Sequence, residues 1–157
     1  MSETRLSHEI LAKLKEPFSA RYVGWKAQST FQKDGQTWAV AVAYIDARLV
    51  MARLDEVVGP ENWEDTYEVI RDTGEEIEVK CQLTVLGVTK EDVGSGRDAK
   101  AAFSDAFKRV AVKFGIGRYL YFLPKAYVPY DEKRRRLKEV PRLPDWALPA
   151  AERRNGK

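Results

Sequence analysis

Between Lys100 and Lys113 the chain spaces its cations at helical intervals. On a 3.6-residue period Lys108, Arg109 and Lys113 share one side with Asp105, and Lys100 and Ser104 lie at its edge. Phe103, Ala106, Phe107, Val110 and Phe114 form the opposite, apolar stripe. Such a row of cations can follow phosphates electrostatically without reading any base. A solvated helix face is the plain alternative for the same stripe. Arg97 stands before the row, and Arg118 follows it within Gly115-Ile116-Gly117-Arg118-Tyr119-Leu120-Tyr121, which sets small residues and rings beside the charges. Lys26 and Gln28 fall on the polar side of a predicted hairpin, with Tyr22. Cationic grooves with aromatic rings nearby hold single strands without sequence preference. Packing is the competing role for Tyr119, Tyr121 and Phe122. The candidate DNA-binding residues are therefore Lys26, Gln28, Arg97, Lys100, Lys108, Arg109, Lys113 and Arg118.

Charge is unevenly placed along the chain. Residues 1–93 hold 11 Lys/Arg against 17 Asp/Glu, and residues 94–157 hold 16 against 7. A basic half set against an acidic one suits a polyanion partner, and equally suits head-to-tail contact between copies.

Catalytic chemistry has little to work with. His8 and Cys81 are the only residues of their types, so neither a disulfide nor a four-ligand zinc site can form within the chain. By its place on a strand Cys81 reads as a small core residue. Glu78-Val79-Lys80 after Asp72 resembles a nuclease pattern that could hold Mg²⁺ and activate water. Glu78, Lys80, Gln82 and Thr84 are also what the wet face of any strand looks like. No enzymatic activity and no cofactor are expected.

The elements that must position these residues are readable from period and punctuation. Leu6, Ile10, Leu11 and Leu14 predict a short amphipathic helix closed by Pro17. From Arg21 the period becomes two: Val23, Trp25, Ala27, Ser29 and Phe31 share one face, Lys33-Asp34-Gly35 turns, and Trp38, Val40 and Val42 resume the alternation. A second helix over residues 44–58, apolar on more than one side, stops at Gly59-Pro60. Trp63, Tyr67 and Val69 alternate, Arg71-Asp72-Thr73-Gly74 turns, and Ile77 to Val85 is the cleanest strand. Asp92-Val93-Gly94-Ser95-Gly96 is expected as a loop into a third helix, Asp98 to about Phe114. The predicted fold class is α+β, an antiparallel β-sheet with helices packed on one side. Five prolines and Lys133-Arg134-Arg135-Arg136 mark residues 124–157 as an extended basic tail after a DNA-binding and oligomerisation core at 1–123. With no apolar run of membrane-spanning length and no signal-peptide order at Met1-Ser2-Glu3-Thr4-Arg5, the expected location is the cytoplasm, or the nucleoid of a bacterium.

Three separated motifs, in order, resemble the Rad fifty-two single-strand annealing family, most of all its bacterial DNA damage response protein A branch from radiation-resistant bacteria. They are Tyr44-Ile45-Asp46-Ala47-Arg48-Leu49-Val50-Met51 leading to Val58-Gly59-Pro60-Glu61-Asn62-Trp63, then Glu91-Asp92-Val93-Gly94, then Asp105 through Gly115. The resemblance spans roughly residues 18–123. It implies a β-β-β-α core, copies assembled side by side into an oligomeric ring, and single-stranded DNA held in a positive groove. It also implies protection of DNA 3′ ends from nucleases. The family's Lys-Arg pair on the last core helix falls on Lys108 and Arg109, and a groove Arg of the first hairpin falls near Lys26. A further basic position of eukaryotic members falls on Val112, with Lys113 beside it. A double-stranded RNA-binding module also ends its sheet in a basic helix, but it is shorter and would leave residues 44–63 without a role.

Overall fold

The computed structural model describes residues 5–154. Along the chain run α1 (His8–Leu14), β1 (Gly24–Lys33), β2 (Gln36–Tyr44), α2 (Ala47–Val58), β3 (Trp63–Asp72), β4 (Ile77–Val85), β5 (Val88–Gly96), α3 (Ala99–Val112), β6 (Ala126–Asp131) and β7 (Arg136–Leu137). These fall into two compact units interleaved in sequence. The first holds the described residues before Pro17 together with Asp46–Arg118, and the second holds Pro17–Ile45 and the chain from Tyr119 onward. The α+β class with antiparallel pairing holds, but there are two sheets rather than one: β3-β4-β5 and β1-β2-β6-β7.

In the first unit β3, β4, β5 and α3 follow one another as a β-β-β-α module, with α3 packed on β4 and β5. Val79, Cys81, Leu83 and Val85 are fully buried, as their alternation predicts. Trp63 on β3 meets Phe107 on α3 with ring centroids 5.9 Å apart, and Tyr67 stacks on Phe103 at 4.5 Å. The segment expected as a loop at Asp92–Gly96 is instead the end of β5, with Gly94 opposite Val79 and Gly96 opposite Ile77. Its glycines have a packing reason. A Cβ on Gly96 would sit 2.6 Å from Ala101 Cβ, and one on Gly94 would overlap the backbone nitrogen of Ala106. Glycine in a strand here marks where a helix backbone lies against it.

Helix α2 starts three residues later than expected, because Tyr44 still belongs to β2. Asp46 is its N-cap, its carboxylate accepting from Leu49 N at 2.9 Å. Only one stripe is buried, Val50, Leu54 and Val58, while Met51 is exposed, so the helix expected to be apolar on more than one side buries a single side. From the same helix Arg53 Nη1 donates to Leu14 O at 2.9 Å and Glu16 O at 2.8 Å, satisfying carbonyls orphaned at the end of α1.

In the second unit β2 pairs with β6, so residues expected as an extended tail carry a strand of the sheet. A bulge at Gln28 breaks the β1–β2 register: Ala27 faces Ala41, but Ser29 faces Val40. The extra residue moves Ser29 and Phe31 off the face of Trp25 and Ala27. Ala39, Ala41 and Val128 are the buried side chains of this sheet, and Trp38, Val40 and Val42 lie only half-buried on the other face.

Burial pushes the Cys81 thiol up to about 11. Tyr67, opposite it on the ladder, is raised further by burial and by the hydrogen bond its hydroxyl donates to Asp65 Oδ2 at 2.7 Å. Both acids are kept protonated in the fold, so stability is full below the unfolded thiol value of about 8.5 and is lost as pH rises toward 11. The melting temperature is expected to fall over that window, and to fall less steeply in Cys81→Ala. A wild-type melting temperature constant from pH 8.5 to about 11 would contradict the assignment.

Candidate nucleic-acid interface

The basic helix is held firmly from three sides. Asp98 caps its N-terminus by accepting from Ala101 N at 2.9 Å. Ala102, Ala106, Phe107, Val110 and Ala111 are buried, which locks the rotation of α3 about its axis. Asp105 Oδ2 accepts from Ser95 N at 3.0 Å, tying the polar side of the helix to β5.

On that framework the cations lie in two adjacent i,i+4 rows, Lys100-Ser104-Lys108-Val112 and Asp105-Arg109-Lys113. Lys108 is half-buried and Arg109 exposed. Arg109 Nε donates to Asp105 Oδ2 at 2.9 Å, so Asp105 orients the guanidinium as well as the helix. The sequence placed Asp105 in the row, and its i,i+4 spacing to Arg109 was the available signal for this positioning role. Lys113 turns back to β5: its Nζ donates to Glu91 O at 2.5 Å and lies 3.8 Å from Asp92 Oδ2. Lys100, Arg97 and Arg118 are exposed.

Six of the eight candidate residues thus belong to the first unit, and Lys26 and Gln28 belong to the second. Lys26 Nζ stands 5.4 Å above the ring of Tyr44, and Gln28 is the bulge residue of β1. Of the rings after the helix, Tyr119 packs, its hydroxyl accepting from Phe18 N at 3.0 Å. Tyr121 and Phe122 are 68% and 72% exposed.

Two of the nuclease-like residues, Asp72 and Lys80, have other partners. Asp72 Oδ1 accepts from Gly74 N at 2.9 Å within the hairpin turn, and Lys80 Nζ lies 3.5 Å from Glu68 and 3.8 Å from Glu91. Among the described residues no group of three His, Cys, Asp or Glu is arranged to hold a metal ion. No helix among them is long and apolar enough to cross a membrane.

Residues 7–136 match the Rad52/22 family of double-strand break repair proteins, a span that runs from α1 through β6. The chain belongs to that family. Two similar proteins are each named single-stranded DNA-binding protein DdrA. The one from Deinococcus radiodurans is 46% identical over 154 residues, covering 94% of this chain and 72% of that protein. The one from Deinococcus deserti is 44% identical over 153 residues, covering 94% and 74%. In this Rad52/22 chain β3, β4, β5 and α3 follow one another in the β-β-β-α order that the motif resemblance implies.

Proposed function

We propose that this protein binds single-stranded DNA during DNA repair, shields 3′ ends from nucleases and promotes strand annealing. Copies assemble side by side into a ring whose groove is lined by α3, with residues 1–123 carrying the groove and the assembly contacts. The observation that carries the reading is the Lys108-Arg109 pair on a helix that cannot rotate, its guanidinium oriented by Asp105. A fixed pair of cations binds phosphate with little ordering cost, and Arg does so in a planar fork. The names of the Deinococcus relatives and the Rad52/22 family support the choice of single-stranded DNA as ligand.

The test is affinity for a labelled oligonucleotide as a function of salt. Log affinity should fall linearly with log salt, with a slope of about −0.7 for each phosphate neutralised. A flat response would remove phosphate contact as the main attraction. Competition with duplex RNA separates this function from a double-stranded RNA-binding role: single-stranded DNA should displace the label and duplex RNA should not. Light scattering on the pure protein reads the ring, and a monomeric mass would reject it.

A further inference from the structure

The basic excess of this chain does not sit on the unit that carries α3. Among the described residues the first unit, over 5–16 and 46–118, contains 14 Lys/Arg and 17 Asp/Glu; the second, over 17–45 and 119–154, contains 12 and 6. The groove reading uses only Lys26 and Gln28 from that strongly basic unit. Its sheet has one buried face, marked by Ala39, Ala41 and Val128, and one open face. The register puts Lys26, Ser29 and Phe31 of β1, Trp38, Val40 and Val42 of β2, and Tyr127 of β6 together on the open face. Phe31 and Tyr127 meet edge to face with centroids 6.1 Å apart, yet remain 37% and 54% exposed.

Cations flank these rings. Lys26 lies toward the start of β1 and Lys33 at its end, and Arg136 of β7 is paired across the ladder with Asp131. The turn between β6 and β7 presents Lys133, Arg134 and Arg135, all exposed. That turn is built rather than loose: Asp131 Oδ1 accepts from Lys133 N and Arg134 N, each at 3.1 Å, and Arg135 takes a left-handed φ of 55°. These amide hydrogen bonds, Arg134's first, hold the Asp131 carboxyl below its ordinary value, so it stays an anion committed to the turn.

We infer that the open face of the β1-β2-β6 sheet is a stacking surface for single-stranded DNA, with Phe31 and Tyr127 receiving bases and Arg136 and Lys133 receiving phosphates. The inference rests on the proposed single-strand binding, and places a second contact beyond residue 123. Exposed rings bordered by cations fit unpaired bases on a phosphate chain, since every base has a π-face. They fit another copy of the same face poorly, because like charges would meet. The acidic first unit of a second copy is the alternative occupant, and the experiment must tell the two apart.

The full-length protein is titrated by fluorescence anisotropy against labelled oligothymidylate and against an abasic strand of equal length. Phe31→Leu with Tyr127→Leu keeps apolar bulk and removes the rings. This variant should lose about tenfold or more in affinity for oligothymidylate and keep its affinity for the abasic strand. Lys133→Gln with Arg136→Gln should lower the salt slope on both strands by about 1.4, two phosphate contacts. Unchanged oligothymidylate affinity in the ring variant overturns the inference, as does an equal loss on both strands. So does a shift in light-scattering mass, which would assign the face to a second copy. If the ring variant fails to fold by circular dichroism, the charge variant decides: an unchanged salt slope rejects the surface. Repeating the ring substitution in the Lys108→Ala, Arg109→Ala background separates the two proposals. Loss of base preference there, with the α3 double variant itself without effect, rejects the α3 groove and keeps this surface.

Discussion

Replacing Gly94 by Ala is expected to lower the melting temperature by about 6–12 °C. The added Cβ would lie far inside van der Waals contact of the Ala106 backbone nitrogen and Cα in α3. No rotamer relieves that overlap, because a Cβ has none and the opposing atom is backbone. The helix cannot retreat cheaply, since Ala102, Phe107 and Val110 are buried in the same contact and Ser95 N is bonded to Asp105 next door. Overpacking of this kind costs about 3 kcal/mol, and about 2–4 °C is lost per kcal/mol in a chain of this size. Gly74→Ala is the control. A Cβ there meets nothing within 4 Å, so its cost is confined to a positive φ, about 1 kcal/mol. Equal melting temperatures for Gly94→Ala and wild type would show that strand and helix do not approach as closely as described.

The second large effect is on binding. Lys108→Ala combined with Arg109→Ala should weaken affinity for an oligonucleotide by about 100-fold or more at moderate salt, since each charged hydrogen bond to phosphate contributes about 1.5–3 kcal/mol. The salt slope should drop by about 1.4 at the same time, one phosphate for each cation. Circular dichroism of the double variant checks that the fold is kept. Arg109 and Asp105 form an exposed i,i+4 pair, and such pairs are worth about 0.3–0.5 kcal/mol. Assembly mass should also stay as in the wild type. The double variant therefore separates DNA contact from structure, and wild-type affinity in it would reject α3 as the groove wall.

Much of this architecture is legible in the residues because it depends on local periodicity. Ile77–Val85 alternates strictly, and the wet and dry faces appear where the alternation puts them. Asp98 before α3, and Asp46 and Gly59 around α2, are cap chemistry that acts within one turn of chain. Two expectations failed for a shared reason, a deciding partner distant in sequence, and a third failed on a bulge. Gly94 and Gly96 read as loop residues until α3 is seen lying against them, and then the absence of a side chain is what allows a strand there. Residues after 124 read as a tail because prolines and cations are poor strand formers, yet Val128 finds Ala39 across the β2–β6 ladder. In the first hairpin one unpaired residue, Gln28, moves Ser29 and Phe31 to the opposite face of β1 from Trp25 and Ala27. A bulge leaves almost no trace in a hydropathy pattern, since it shifts register by one without changing composition.

For Lys108 and Arg109 the division is sharp. Their presence on the polar side of a basic helix, opposite a Phe and Ala stripe, followed from spacing alone, because helical geometry is local. The same holds for the neighbouring motifs by which the chain resembles its family. Tertiary structure decided which cations are presented and how. It turned Lys113 back onto β5 through Glu91 and Asp92, and it made Asp105 the residue that aims Arg109. It also decided where charge accumulates. Linear halves suggested a basic C-terminal segment, but folding interleaves the chain and collects the excess on the unit with the β1-β2-β6 sheet. Charge is summed over neighbours in space, and only the fold says which residues those are.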